Sequence, residues 1–211
     1  GRGSAVEVAS LDVRMLDDVE AWVQGIDDQA AIDLLICCAG VFYGSRAHGA
    51  VERNSDAVKV VETNLTGPIV AGNTMAERMK ARGRGRIALT SSLAALIPQA
   101  DAAAYSASKA GLTAYALALR ELLFPFGVTV TVIHPGHVAT VQTGQQVGRL
   151  PLLMTPEAAA QRIVNGLDAG QSRITFPMSL AIYAKIYALM PFGLKRMANA
   201  GFRFFVRDPA D

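Results

Sequence analysis

Cysteine is almost missing from this chain of 211 residues: there are two, Cys37 and Cys38, side by side. Adjacent cysteines seldom bridge, and two alone build neither a disulfide scaffold nor a metal cage. The expectation is a reduced, cytoplasmic protein. An excess of one charge is also missing. Lys plus Arg is 20 and Asp plus Glu is 18, for a net charge of +2, which argues against a nucleic-acid binder that works by charge. A long unbroken apolar run is missing too, because Lys185 and Pro191 interrupt the stretch Met178–Leu194 and make it a poor membrane span. Gly1–Ser10 has no basic start followed by an apolar run, so no signal peptide is read. There is no internal repeat, low-complexity tract or linker. Hydrophobic residues make up 51% and charged residues 18%, which excludes intrinsic disorder and is ample for a core. The length suits one large domain, or one domain with an appendage.

Short β-branched or apolar runs alternate with helical patterns. Strands are expected at Ala5–Ala9, Asp33–Cys37, Arg86–Ser91, Val128–Ile133 and Arg173–Phe176. The run Asp33–Cys37 is continuously apolar, as in a strand buried on both faces. Helices are expected at Met15–Ala30, Asn54–Arg82 and Ala102–Phe124, the second with a kink or break at Gly67-Pro68. Thr155-Pro156 marks a further helix start. Residues from Ser179 to Val206 are read as helical, ahead of a polar tail. This alternation implies an α/β fold with a parallel sheet covered on both faces.

Tyr105 and Lys109 fall four apart at the start of the helix Ala102–Phe124, on one helix face. A free phenol has a pKa near 10 and is a poor acid or base at neutral pH. A nearby ammonium favours the phenolate, so the pair can exchange a proton with a carbonyl or alcohol oxygen. Alone, such a pair is usually a packed ring and a solvated amine. The surroundings add weight. Ser92 lies thirteen residues before Tyr105, where Thr90-Ser91-Ser92 ends a strand. Open α/β sheets bind ligands at such carboxyl ends. Asp33–Cys37 ends in Cys38-Ala39-Gly40, small residues that admit a ligand to the backbone. Val128–Ile133 ends in His134-Pro135-Gly136-His137-Val138-Ala139-Thr140.

With these residues the sequence resembles a short-chain dehydrogenase/reductase from Leu11 to about Phe176. The family's Tyr-x-x-x-Lys matches Tyr105 and Lys109, and its catalytic serine matches Ser92. Its proton-relay asparagine matches Asn64, in Asn64-Leu-Thr-Gly67. Its Asn-Asn-Ala-Gly turn matches Cys37-Cys38-Ala39-Gly40 with both asparagines replaced. Its Pro-Gly-x-Val-x-Thr matches Pro135 to Thr140, and its adenine-contacting aspartate matches Asp12. The resemblance implies a doubly wound, Rossmann-like sheet. It also implies hydride transfer between NAD or NADP and a carbonyl or alcohol substrate. The implied catalytic residues are Asn64, Ser92, Tyr105 and Lys109. The implied cofactor contacts are Asp12, Ala39, Gly40, Tyr105, Lys109, Pro135, Gly136, Val138 and Thr140. A homodimer or homotetramer, joined through the helices Asn54–Arg82 and Ala102–Phe124, is implied as well.

The family opens with a strand, a glycine-rich turn and a helix that cradle the pyrophosphate, and only eleven residues precede Asp12. The expectation is therefore an incomplete, N-terminally truncated domain over residues 1–211, with weakened cofactor binding. The rival is an inactive remnant serving as an oligomeric or interaction module. The residue that selects NAD or NADP falls within the lost unit. Asp33–Cys37 should become a sheet edge, with Ala5–Ala9 docked near it, reaching a neighbouring chain or poorly ordered. Thr143-Gly-Gln-Gln-Val-Gly148 is read as a flexible loop, and Arg82-Gly-Arg-Gly-Arg86 as a solvated helix end. His134 and His137 are read as polar turn residues rather than metal ligands, Cys37 and Cys38 as small core residues. Asn64 by itself could cap a helix break. Trp22 is read as packing its helix on the sheet. The appendage 178–211 could be a lid over an apolar substrate, a membrane-surface helix or a partner contact, with a lid or oligomer contact favoured.

Overall fold

The computed structural model describes residues 6–47, 49–148, 150–200 and 203–206. Four parallel strands form the central sheet: β1 (Leu34–Cys37), β2 (Gly85–Thr90), β3 (Val128–Pro135) and β5 (Arg173–Phe176), in the order β1-β2-β3-β5. Alternation along the strands sends side chains into two cores. Ile87, Leu89, Val128, Val130 and Val132 face one way, toward α1 (Leu16–Gln29), α3 (Gly67–Arg82) and α4 (Ala103–Leu123). Ala88, Ile133, Ile174 and Phe176 face the other way, toward Ala159 and Leu167 of α6 (Pro156–Asp168). The sheet is therefore covered on both faces, as the alternating pattern requires. Thr155 caps α6 by accepting the Ala158 amide at 3.2 Å, with Pro156 behind it.

β1 is the edge among the described strands, and Ile36 is exposed. Its apolar run does not reach burial on both faces, because only β2 pairs with it. The strand expected over Ala5–Ala9 does not form: residues 6–10 are exposed and without regular structure, and Ala5 lies outside the described residues. A run this short gains little from apolar alternation when no strand pairs with it.

The helix from Asn54 does not break at Gly67-Pro68. It runs as α2 (Asn54–Val61), widens into a π-helical turn over Glu62–Thr66, and continues as α3. Pro68 has no amide proton to give the carbonyl four residues earlier, that of Asn64. The wider turn accommodates the defect, with the Gly67 amide bonded to the Glu62 carbonyl. Gly67 is needed for a second reason. A Cβ there would stand 2.5 Å from the Val13 carbonyl oxygen, where the chain before α1 crosses.

Two ionic readings change. Arg82 is not merely a solvated helix end. With Arg78 it grips the buried Asp27 of α1, bonding its carboxylate at 2.6 and 2.9 Å and the Ile32 carbonyl at 3.0 Å. Burial works to raise the Asp27 pKa, but the two guanidinium groups and the Ile32 amide outweigh it and hold it at about 2. Gly83 then ends α3 in the left-handed region at φ 69°. Trp22 is exposed, because α1 packs chiefly on α3 and presents Val19, Val23 and Asp27, not Trp22, inward.

The segment 143–148 is ordered. Thr140 and Thr143 form a capping box on α5 (Val141–Gly144), and β4 (Gln146–Gly148) follows. β4 pairs antiparallel with β6 (Phe204–Val206), beyond α7 (Met178–Leu189) and α8 (Phe192–Ala200). Asp101 anchors this return of the chain. Buried, it receives both Arg203 nitrogens at 2.7 Å and the Phe204 amide at 3.1 Å.

Candidate active site

The carboxyl ends of β2 and β3, with Phe42 from the loop after β1, open on a cavity of about 160 Å³. Ser92, Leu93, Tyr105, Pro135, Gly136 and Phe204 are among its lining residues. β2 delivers Ser92, which starts a short 3-10 helix (Leu93–Ala95) by accepting the Ala94 amide at 3.1 Å. The first turns of α4 deliver Tyr105 and Lys109. The Tyr105 ring meets Phe42 edge-on, with centroids 4.8 Å apart, and Phe42 in turn leans on Phe204.

Lys109 is 4% exposed. Its Nζ donates to the Thr90 carbonyl at 2.8 Å and stands 5.7 Å from the centre of the Tyr105 ring. Burial brings its pKa down to about 8, opposed by the neighbouring Cys38. Burial pushes the Tyr105 phenol up, and a hydrogen bond with Ser92 works the other way. In this arrangement the ammonium lies over the Tyr105 ring and is tied to the Thr90 carbonyl.

Asn64 is fully buried in the π-helical turn. Its Oδ1 accepts the Val41 amide and its Nδ2 donates to the Val41 carbonyl, both at 2.8 Å, with Ser108 Oγ at 3.5 Å. The reading of Asn64 as a helix cap fails, since its side chain clasps the loop after β1 instead. That clasp sets Gly40 beside the two buried groups: a Cβ at Gly40 would lie 3.2 Å from Asn64 Oδ1 and 3.5 Å from Lys109 Nζ. Gly40 and Ala39 are exposed there.

A second polar chain lies beneath α4. Ser91 Oγ donates to the Lys109 carbonyl at 2.8 Å and meets Thr113 at 2.8 Å. Thr113 donates to the same carbonyl at 2.9 Å and meets His134 Nε2 at 3.1 Å. His134 is therefore not a turn residue. It is fully buried on β3, and burial, helped by Arg173, brings its pKa down to about 4. His137 does sit in the turn, half-buried near the Pro151 carbonyl, and lines the cavity. No cluster of potential metal ligands occurs among the described residues.

The remaining sequence-derived residues divide. Pro135 and Gly136 line the cavity, and a Cβ at Gly136 would stand 2.9 Å from Pro177. Val138 bridges Met154 and packs into the second core, while Thr140 spends its hydroxyl on capping α5. Asp12 stands apart on the surface, paired with Arg14 at 2.6 Å, and that pairing lowers its pKa to about 2. Cys37 is half-buried and its thiol is pushed up to about 12 by burial. Cys38 is exposed rather than a core residue, with Sγ 3.4 Å from Thr90 Oγ1.

Sequence reasoning missed the opposite wall. Gln99, from the loop before α4, and Tyr183, from α7, line the cavity, and Gln99 Oε1 and Tyr183 Oη are buried without a hydrogen-bond partner among the described residues. No local motif marks either residue. A run from Ser92 to Tyr105 with one amide side chain was the available signal for Gln99.

Residues 2–149 match the sequence model of a family described as short chain dehydrogenase. An uncharacterised oxidoreductase of Myxococcus xanthus is 32% identical over 190 residues, covering 90% of this chain and 74% of that one. A 3-dehydrosphinganine reductase of Arabidopsis thaliana is 34% identical over 188 residues, covering 82% of this chain and 55% of that one. In fold, a short-chain dehydrogenase from Streptomyces avermitilis superposes with a TM-score of 0.68 at 19% identity, over 85% of this chain and 73% of that one.

Proposed function

The chain belongs to the short-chain dehydrogenase family, and we propose that it interconverts a carbonyl compound and an alcohol with NAD(P)(H), using Tyr105 as general acid and base. The observation that carries this reading is that Tyr105 and Ser92 line one apolar-walled cavity at the carboxyl ends of β2 and β3, with the buried Lys109 ammonium 5.7 Å from the centre of the Tyr105 ring. Tyr105 and Ser92 line the same cavity, so a carbonyl oxygen placed between their hydroxyls would receive two donors. Charge developing on that oxygen is stabilised by both, and the phenol gives up its proton as the charge grows.

The residues present fit the nicotinamide end of such a cofactor. Lys109 spends one of its three N–H donors on Thr90, leaving two for ribose hydroxyls. Gly40 has no side chain where one would crowd Asn64 and Lys109. When bound, the nicotinamide supplies or accepts the hydride. Asn64 would hold the loop after β1 in place by its side chain. Its backbone carbonyl, which Pro68 cannot serve as an α-helical donor, is the candidate anchor for a water that refills the Tyr105 proton. Substrate size and polarity follow from the cavity. Leu93, Ile97 and Phe204 suit an apolar body, and Gln99 and Tyr183 suit a second polar group on it. Exposed Val58 and Val61 on α2, with Leu117 and Leu122 on α4, support association with a second copy through those helices.

The test is loss of dihydronicotinamide absorbance during incubation with a panel of medium-chain ketones, keto esters and aryl ketones, with NADH and with NADPH. Turnover of at least one ketone is expected, reduced about tenfold or more in Ser92→Ala. An absence of turnover across the panel with both cofactors would count against the reading.

A further inference from the structure

Apart from Ser179 and Lys185, α7 carries apolar or aromatic side chains, on its inner and its outer side alike. Inward it presents Leu180 and Tyr183 to the cavity and buries Ala184 and Tyr187. Outward, Met178, Ile182, Ile186 and Leu189 recur every three or four residues and are 65%, 54%, 53% and 88% exposed. α8 continues this outer surface with Phe192 and Met197, 80% and 74% exposed. A helix apolar on every side needs a cover on both sides. A lid accounts only for the inner side, so of the two favoured readings of the appendage only an oligomer contact would cover the outer side. Twelve residues span roughly 18 Å as a helix, too short to cross a bilayer, and no described helix is long and apolar enough to do so.

Charge decides the partner. From Gln171 to Val206 the sequence has no Asp or Glu, yet it carries Arg173, Lys185, Lys195, Arg196 and Arg203. Arg203 is engaged by Asp101. Lys185 sits within the exposed stripe of α7, and Lys195 and Arg196 lie on α8. A two-fold self-contact through this face would gather the cations of both copies at one interface, with no anion from residues 171–206 of either to meet them. Exposed apolar side chains accompanied, within residues 171–206, by cations and no anion match the interfacial region of a bilayer with anionic headgroups.

We propose that the outer face of α7 and α8 seats the protein on a bilayer surface containing anionic lipid, with Leu189 and Phe192 at the junction of the two helices entering deepest. The inner side of the same helix walls the cavity, so a seated molecule holds its cavity about one helix diameter, roughly 10 Å, from the lipid.

Co-sedimentation with large vesicles tests this directly, using phosphatidylcholine alone and phosphatidylcholine mixed with phosphatidylserine. The protein is expected to sediment with the mixed vesicles and far less with the neutral ones. The double variant Leu189→Glu, Phe192→Glu should lower the partition coefficient by about tenfold or more, since both apolar insertions are lost. Lys185→Glu with Arg196→Glu should lower it by about fivefold per charge removed from the surface, and serves as the independent readout should the first variant fold poorly by circular dichroism. Failure to sediment with either vesicle, equal sedimentation with both, or partition unchanged in the charge variant would each overturn the proposal. So would a dimer by light scattering that the Leu189→Glu, Phe192→Glu variant converts to monomer while wild type leaves vesicles unbound, since the face would then belong to a second copy.

Discussion

In the layer behind Tyr105 and Ser92, the residues Lys109, Asn64, Ser91, Thr113 and His134 are buried, and each has a hydrogen-bond partner on a neighbouring element. On the facing side Gln99 and Tyr183 bury polar atoms that no described group satisfies, and α7 carries apolar residues on both its inner and outer surfaces. The first wall is fixed by its own bonds. The second keeps its bonding capacity for something that is not part of it. Buried polar groups are nearly always paired in a finished interior, so the difference separates a scaffold for chemistry from a surface for recognition. It also predicts that substitutions on the two walls will have opposite effects on stability.

The largest stability loss should come from the Asn64 clasp. Asn64→Ala leaves the Val41 amide and carbonyl without their partners, at a cost of about 1–3 kcal/mol for each group. Thermal unfolding should drop by roughly 5–15 °C for a chain of this size. An Asn64→Ala protein that melts within a degree or two of wild type would show that the loop after β1 is held by other contacts.

Next in size is a pH effect from His134. Its folded pKa, about 4, lies below the unfolded value near 6.5. Between those values the unfolded chain binds the extra proton, so stability falls as pH drops from about 6.5 toward 4. The loss is on the order of 3 kcal/mol at the lower end. Asp27 acts in a separate window, losing its contribution only as pH falls below about 3.8 toward 2. Melting curves between pH 7 and pH 4.5 should therefore show a decline that His134→Gln flattens. An equal decline in both proteins would assign the effect to other groups.

The smallest effect belongs to the facing wall and has the opposite sign. Tyr183→Phe removes a buried hydroxyl that has no partner among the described residues, so it should leave the melting temperature unchanged or raise it by an amount worth up to about 1 kcal/mol. If the hydroxyl recognises substrate, the same change raises KM and spares kcat. A clear loss of stability in Tyr183→Phe would erase the contrast between the walls.

The sheet and its helices were legible because their signals are local. The apolar runs at β2 and β3, the three- and four-residue spacing in α1 and the Thr155-Pro156 start of α6 each report on a few neighbouring residues. The fixed wall was half legible. Tyr105, Lys109, Ser92 and Asn64 stand in recognisable strings, but the use of Asn64 to clasp Val41 and of His134 to reach Thr113 depends on packing across 23 and 21 residues. The facing wall was the least legible. Asp101 reaches Arg203 across 102 residues, and β4 finds β6 only after the two C-terminal helices have turned the chain back. Composition shows that residues 178–200 are apolar, but it cannot show that half of those side chains point outward. The strand expected over Ala5–Ala9 marks the opposite limit. An apolar alternation of that length needs a pairing partner, and the described sheet gives it none.

The central claim is that Tyr105 supplies the proton on the fixed wall. The most direct measurement is the single-turnover rate of ketone reduction by Tyr105→Phe beside wild type, with the cofactor dissociation constant measured in parallel. The phenylalanine ring keeps the contact with Phe42 and loses only the proton. The account predicts a fall in rate of about 10²–10⁴ with cofactor affinity nearly unchanged. A variant that retains more than about a tenth of the wild-type rate, a barrier difference below about 1.4 kcal/mol, would contradict it.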